Sequence, residues 1–192
     1  MPMTGHLEVI CGPMFAGKSE ELIRRIGRSI IAKQDVIVFK PIIDNRYSTS
    51  EVISHNGRKI EAYPIEYASE IYHYFREDLF GQFYHVVGID EIQFFDSEIL
   101  DVIWWLQKHG SKIIVSGLDL DYRKNPFGDL PYLLAMASEV TKLKAICQVC
   151  GEDAMYTQRL LNGSPAPYSG ETVIVGATEQ YEARCGKCHK EG

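Results

Sequence analysis

The sequence predicts an α/β protein: a mostly parallel sheet with helices on both faces, plus a small cysteine-stapled module at its C-terminal end. Three observations predict it. Apolar runs at 7–12, 35–41, 84–91 and 112–119 have the length and composition of buried strands. Stretches of helical period stand between them, and strands alternating with helices imply parallel pairing through crossovers. After residue 142 the pattern changes to strand-like segments carrying four of the five cysteines, as two Cys-x-x-Cys pairs. The predicted division is an α/β domain over 1–142 and a metal-stapled module over 143–192.

Each element follows from local chemistry. LEVICG (7–12) is a short apolar run ending in glycine and reads as the first strand. From Ser19 to about Lys33, the residues Leu22, Ile23, Ile26, Ile30 and Ile31 recur at helical spacing with basic residues between them. Gly27 weakens that helix relative to alanine. DVIVFKP (35–41) is the second strand, stopped by Pro41. IIDNRYSTS (42–50) is polar and turn-prone, and two short strand-like pieces flank the turn at His55, Asn56 and Gly57. A helix is expected over 68–80. YHVVGIDE (84–91) is the third strand, ending in two carboxylates, and the helix after it (97–109) carries Trp104 and Trp105. KIIVSGLD (112–119) is the fourth strand, ending in Asp119. Within the C-terminal module, NGSPAPYSG (162–170) is too rich in Gly, Ser and Pro to be a regular element.

Composition narrows the function classes. A chain of 192 residues suits one α/β domain with a small appendage, and 45% hydrophobic with 24% charged residues is globular usage. Twenty basic against 26 acidic residues leave a net charge of −6, which argues against general nucleic-acid affinity. MPMTGHLEVICG has neither a basic n-region nor a long apolar stretch, and no apolar run approaches membrane-spanning length. Five cysteines without an export signal point to thiols or metal ligands rather than disulfides. The expectation is a cytoplasmic protein without a membrane or nucleic-acid partner.

The sharpest motif is Gly12-Pro13-Met14-Phe15-Ala16-Gly17-Lys18-Ser19, which fits G-x-x-x-x-G-K-S/T. It is a phosphate loop (P-loop), with the strand before it and the amphipathic helix after it that the motif needs. Its glycines let backbone N–H groups curl inward onto phosphate oxygens, and the helix adds its positive end. Lys18 is expected to reach the β- and γ-phosphates and Ser19 to ligate Mg2+. Pro13 has no N–H and must sit where none is required. Asp90 ends the third strand, where a second metal-binding carboxylate is expected. Glu91 beside it is the candidate to accept a proton from an attacking hydroxyl or to orient a water. Asp44 and Arg46 lie just past the second strand at the same edge; Arg46 is either a charge stabiliser or part of a surface ion pair.

Cys147-x-x-Cys150 and Cys185-x-x-Cys188 each present two thiolates, and together they make a structural Zn2+ site more readily than a redox pair. His189 is a weaker alternative to Cys188, and Cys11 reads as a small buried hydrophobe. The long interval between the pairs suggests that the metal staples the base of a loop. Such a loop is either a lid over a substrate or a nucleic-acid finger. The nearby Lys142, Lys144, Arg159, Arg184 and Lys187 keep the finger reading open, and Tyr156, Tyr168 and Tyr181 suit stacking on a base in either case. A kinase, a nucleic-acid-stimulated ATPase and a GTPase switch are the readings in play; no N-K-x-D stretch follows the fourth strand to favour the last.

GPMFAGKSEELIRR, FKPIIDNRYS, GIDEIQFF, GLDLDYRKNPFG, YTQRL and the two knuckles, in this order over nearly the whole chain, resemble the cytosolic, zinc-containing type II thymidine kinases. Many families share the phosphate loop; DEIQFF with PFG and the split knuckles is far more specific. The resemblance implies phosphoryl transfer from ATP to the 5′-hydroxyl of thymidine or deoxyuridine, with Mg2+ on Ser19 and Asp90 and Glu91 as base. It implies that Gly12 to Ser19, Asp44, Asn45, Arg46, Asp90, Glu91, Ile92 and Gln93 line the ATP side. Phe127 would pack on the thymine ring, and Thr172, Val173, Ile174, Val175 and Gly176 would hold the base edge mainly through main-chain groups. Tyr181 would complete the pocket. It further implies Zn2+ on Cys147, Cys150, Cys185 and Cys188, a homotetramer, and inhibition by the end product dTTP.

Overall fold

A computed structural model of the chain describes residues 5–42, 50–53, 57–75, 84–169, 172 and 179–192. Its centre is a six-stranded sheet in which every described pairing is parallel. The chain enters through β1 (Leu7–Cys11), crosses by α1 (Lys18–Ile31) and returns in β2 (Val36–Pro41). A small antiparallel hairpin follows, β3 (Glu51–Ile53) with β4 (Lys59–Glu61), and then β5 (Tyr63–Ile65) joins the sheet edge. β6 (Val86–Ile89), α2 (Glu98–Lys108), β7 (Lys112–Gly117), α3 (Leu130–Met136) and β8 (Glu139–Lys142) complete it. The strand order is β5-β2-β6-β7-β1-β8.

Alternation along the strands sorts two cores. Leu7, Val9, Cys11, Ile37, Phe39, Val87, Ile89, Ile113 and Val115 face α2 and α3, whose Ile99, Val102, Ile103, Leu106, Leu130 and Leu133 seal that side. Ile10, Val38, Val86 and Ile114 face the other way, onto Leu22, Ile23 and Ile26 of α1. Strands buried on both faces have to be apolar at nearly every position, which is why they read as continuous runs. Cys11 is fully buried in the first of these cores, as its place on an apolar strand suggested.

Three expectations need revision. The stretch 162–170, expected to hold no regular element, contains a two-residue strand, Ser164–Pro165, paired antiparallel with Leu160–Leu161 just before it. The segment expected as a helix over 68–80 is a 3-10 helix over Ala68–Phe75, and residues 76–83 lie outside the described residues. Ala68 and Ile71 are its buried residues, three apart, the spacing that a three-residue turn stacks on one side. Neither β5 nor β8 was foreseen as a sheet strand. Each is an edge strand of three or four residues, too short and polar to carry an apolar signature.

Beyond β8 the chain builds two small antiparallel sheets. β9 (Ala145–Ile146) pairs with β10 (Asp153–Ala154), and β11 (Tyr156–Leu161) lies between β12 (Ser164–Pro165) and β13 (Glu179–Arg184). No described helix is long and apolar enough to cross a membrane.

Candidate functional site: a phosphate loop braced by a thiolate cluster

The sheet order puts the ends of β6, β7 and β1 side by side, and the chemistry gathers at that carboxyl edge. The loop from Gly12 to Gly17 leaves β1 and delivers Lys18 into the first turn of α1. Gly12 has φ 140°, and a Cβ there would stand 2.4 Å from the Leu143 carbonyl oxygen, so no other residue fits. Gly17 at φ 82° turns the chain into the helix. The Lys18 ammonium folds over the loop and donates to the Pro13 carbonyl at 2.8 Å. Pro13 thus contributes a carbonyl where it has no N–H to offer.

Opposite the loop, Asp90 is 5% exposed and held by two hydroxyls. Ser19 Oγ donates to Oδ2 at 3.0 Å, and Ser116 Oγ, from the end of β7, donates to Oδ1. Burial first, then the charge of Glu91, pushes the Asp90 carboxyl up to about 6, against the lowering effect of the two hydroxyls. A divalent cation there would offset both unfavourable effects. The pair of one hydroxyl and one carboxylate fits Mg2+, which keeps most of its octahedral shell for phosphate oxygens and water. Ser116 went unnoticed in the sequence; its signal is a polar residue inside the apolar run KIIVSG.

Glu91 sits at φ 48°, a left-handed conformation costing roughly 1–2 kcal/mol for a residue with a side chain. It turns the chain from β6 into the 3-10 helix Ile92–Phe94. Ile92 is buried in the core, so only its main chain is available to a ligand. Gln93 is also buried and is hydrogen-bonded to Glu91. Phe127 packs edge-on against Phe94, ring centroids 5.6 Å apart. Asp44, Asn45 and Arg46 lie outside the described residues, as do Val173, Ile174, Val175 and Gly176.

Thr172 is described, and its hydroxyl accepts from the Arg123 guanidinium, which also donates to the Tyr168 carbonyl at 3.2 Å. Arg123 is itself held by Asp121 at 3.1 Å, and the Tyr122 hydroxyl donates to the Pro167 carbonyl at 3.0 Å. The loop after β7 is therefore tied to the segment 167–172: Tyr122 and Arg123 are the donors, and Tyr168 and Thr172, both named from the sequence, are among the acceptors. Tyr181 stands on β13 opposite Arg159 on β11.

The four cysteines converge. Sγ atoms of Cys147, Cys150, Cys185 and Cys188 all lie within 4.8 Å of one another, and the Cys150–Cys185 separation is 3.6 Å. A tetrahedral zinc with bonds of about 2.3 Å spaces its sulfurs by roughly 3.8 Å, so this donor set could hold Zn2+. Burial alone would raise the Cys147 thiol, but main-chain N–H groups of Cys185, Cys150 and Val149 bring it down to about 6. The thiol of Cys188 is pushed up to about 12 by its neighbours Cys185 and Cys150. His189 stands outside the cluster, with Nε2 hydrogen-bonded at 3.1 Å to the Tyr122 carbonyl.

This cluster touches the phosphate loop. Ala16 packs against the small core of Ala145, Cys147, Ala154, Ala183 and Cys185, and the Met14 N–H donates to Thr157 Oγ1 at 3.0 Å. A separate cavity of about 380 Å³ opens at the opposite, amino edge of the sheet, lined by residues including Arg25, Lys112, Glu8 and Glu139. These charges pair with one another, Arg25 with Glu8 at 2.7 Å and Glu139 at 3.2 Å, so they form a structural ion-pair network remote from the phosphate loop.

A parallel α/β sheet with a phosphate loop, and a hydroxyl–carboxylate pair at its mouth, defines a nucleotide-handling protein of the kind that moves phosphoryl groups. The family model described as thymidine kinase matches residues 5–189. The chain belongs to the thymidine kinase family, and its activity is the phosphorylation of thymidine.

Proposed function

We propose that the chain transfers the γ-phosphoryl group of ATP to the 5′-hydroxyl of thymidine or deoxyuridine, with Glu91 as general base. The observation that carries this reading is the carboxyl edge itself. There Lys18 is bonded back onto the phosphate loop at Pro13, Ser19 and Ser116 both donate to Asp90, and Glu91 follows Asp90 directly. The bond between the γ-phosphorus and the bridging oxygen breaks, the 5′-oxygen takes its place, the hydroxyl proton passes to Glu91, and ADP leaves. Ser19 and Asp90 would hold Mg2+, which would supply charge neutralisation to the transferring phosphates.

The phosphate side is lined by Gly12 to Ser19, by Asp44, Asn45 and Arg46, and by Asp90 to Gln93. Phe127, Thr172 to Gly176 and Tyr181 form the nucleoside side. The chain divides after residue 142 into an ATP-binding domain and a zinc-held module that covers the substrate. It works as a cytoplasmic homotetramer in deoxynucleotide salvage, inhibited by dTTP.

The test is ADP release from Mg·ATP by purified protein, with water alone, a nucleoside panel and single-stranded DNA as separate arms. Release that needs thymidine or deoxyuridine, and yields the 5′-monophosphate, is the expected result. Release indifferent to nucleosides overturns the reading.

A further inference from the structure

Gln93 is 3% exposed, two residues beyond Glu91, and its amide is engaged at both ends. The Leu118 main-chain N–H, just past β7, donates to Oε1 at 3.0 Å. A main-chain N–H can only donate, so this contact fixes the carbonyl end of the amide and turns Nε2 the other way. There Nε2 donates to Glu91 Oε2 at 2.5 Å. Two glycines make room for this arrangement. A Cβ on Gly117 would stand 2.5 Å from Gln93 Oε1, and one on Gly128 would stand 2.6 Å from the Gln93 carbonyl oxygen.

We propose that Gln93 is a positioning residue for the phosphoryl acceptor step: it clamps one oxygen of Glu91 and so fixes the plane of that carboxylate toward the incoming hydroxyl. The proposal rests on Glu91 being the base. Hydrogen bonds to an ionised carboxylate are the stronger kind, and one anchored oxygen sets the direction of the remaining lone pairs. A small misplacement of a reacting group costs about a hundredfold in rate, so the clamp acts on turnover rather than on binding. The relay also links two neighbouring strand ends, β6 through Glu91 and β7 through Leu118.

The experiment is a double-mutant cycle of Q93M and E91Q, reading kcat, the KM for ATP, ADP affinity and Tm. Methionine keeps the volume and removes the donor. Q93M is expected to lower kcat about 10- to 100-fold, a larger effect than any change it makes in the KM for ATP or in ADP affinity, since Gln93 also lies on the phosphate side. In the E91Q background it is expected to change kcat by no more than about twofold, because no carboxylate remains to position. An equal loss in both backgrounds, or unchanged kcat in Q93M alone, overturns the proposal. Near-normal turnover of E91Q alone instead removes Glu91 as base, a different failure. Should Q93M not fold, G117A displaces the amide without deleting it; a fall in kcat at unchanged ADP affinity supports the clamp, and unchanged kcat overturns it.

Discussion

The sheet domain and the cysteine module are held together by different physics. Both faces of the sheet are sealed by large aliphatic side chains, among them Leu7, Ile10, Leu22, Ile26, Ile89, Ile99, Ile103 and Leu106, all below 2% exposed. Among the described residues, the module's clustered core is Ala145, Cys147, Ala154, Ala183 and Cys185. Among the described residues, these alanines and thiols, with Leu160 and Ala166, bury far less apolar area than the aliphatic side chains of the sheet. The sheet holds its shape by burial; the module's four converging cysteines could hold a metal that cross-links it. Yet the two meet at the phosphate loop, through Ala16 and through the Met14–Thr157 hydrogen bond. A loop that must hold phosphates is thus braced on its outer side by the region least able to stand alone.

The largest effect expected from this contrast comes from metal removal. Purified protein should carry about one zinc per chain, and structural zinc contributes roughly 10–16 kcal/mol of apparent binding free energy that is also folding energy. Stripping it with a chelator should expose β9 to β13 to rapid hydrogen exchange while β1, β6 and β7 stay protected. A metal-free module with full protection would break the comparison.

A core truncation tests the other side. Ile103→Ala on α2 removes fully buried atoms from the larger sheet core and should cost about 2–5 kcal/mol in urea unfolding. Its metal content should not change. Loss of zinc in this variant would mean that the two regions unfold as one unit.

Acid should separate the regions more gently. The Arg24 hydrogen bond, with Arg25 helping against burial, holds the Glu21 carboxyl down to about 2. Glu8, which burial alone would raise, is held low by Lys112 and Arg25. A carboxylate lowered on folding stabilises the protein above its unfolded pKa, here about 4.5, and that contribution is lost as pH falls toward 2. Glu21→Gln should flatten this acid slope and cost about 1 kcal/mol at neutral pH, since the Arg24 partner is half exposed and screened by solvent. The module should respond to acid by releasing metal as its thiolates protonate, a step that Glu21→Gln leaves in place.

The smallest effect is a gain. A Cβ on Gly27 would meet nothing within 4 Å, so no packing requires this glycine in α1. Gly27→Ala should raise sheet-domain stability by about 0.5–1 kcal/mol through helix propensity, read as a higher Tm.

The strands 7–12, 35–41, 84–91 and 112–119, the phosphate loop and the spacing of the four cysteines were all legible in the sequence. Each is a local pattern, decided by residues a few positions apart, and a local pattern survives into any fold that buries it. The short polar edge strands β5 and β8 were not legible, because edge strands take their order from the neighbour they pair with. Nor was the 3-10 geometry of Ala68–Phe75, where helical period alone does not separate three residues per turn from 3.6. At the site, sequence alone named Met14, Ser19, Asp90, Glu91 and Gln93, while only the tertiary structure supplied the remote groups that three of them meet. Ser116 reaches Asp90 across 26 residues, Leu118 reaches Gln93 across 25, and Thr157 reaches Met14 across 143. Those contacts exist because the parallel order β6-β7-β1 sets three strand ends side by side, and because the module docks where the first of the chain's strands ends. Sequence spacing carries the chemistry of each residue, and packing of remote segments decides which groups that chemistry meets.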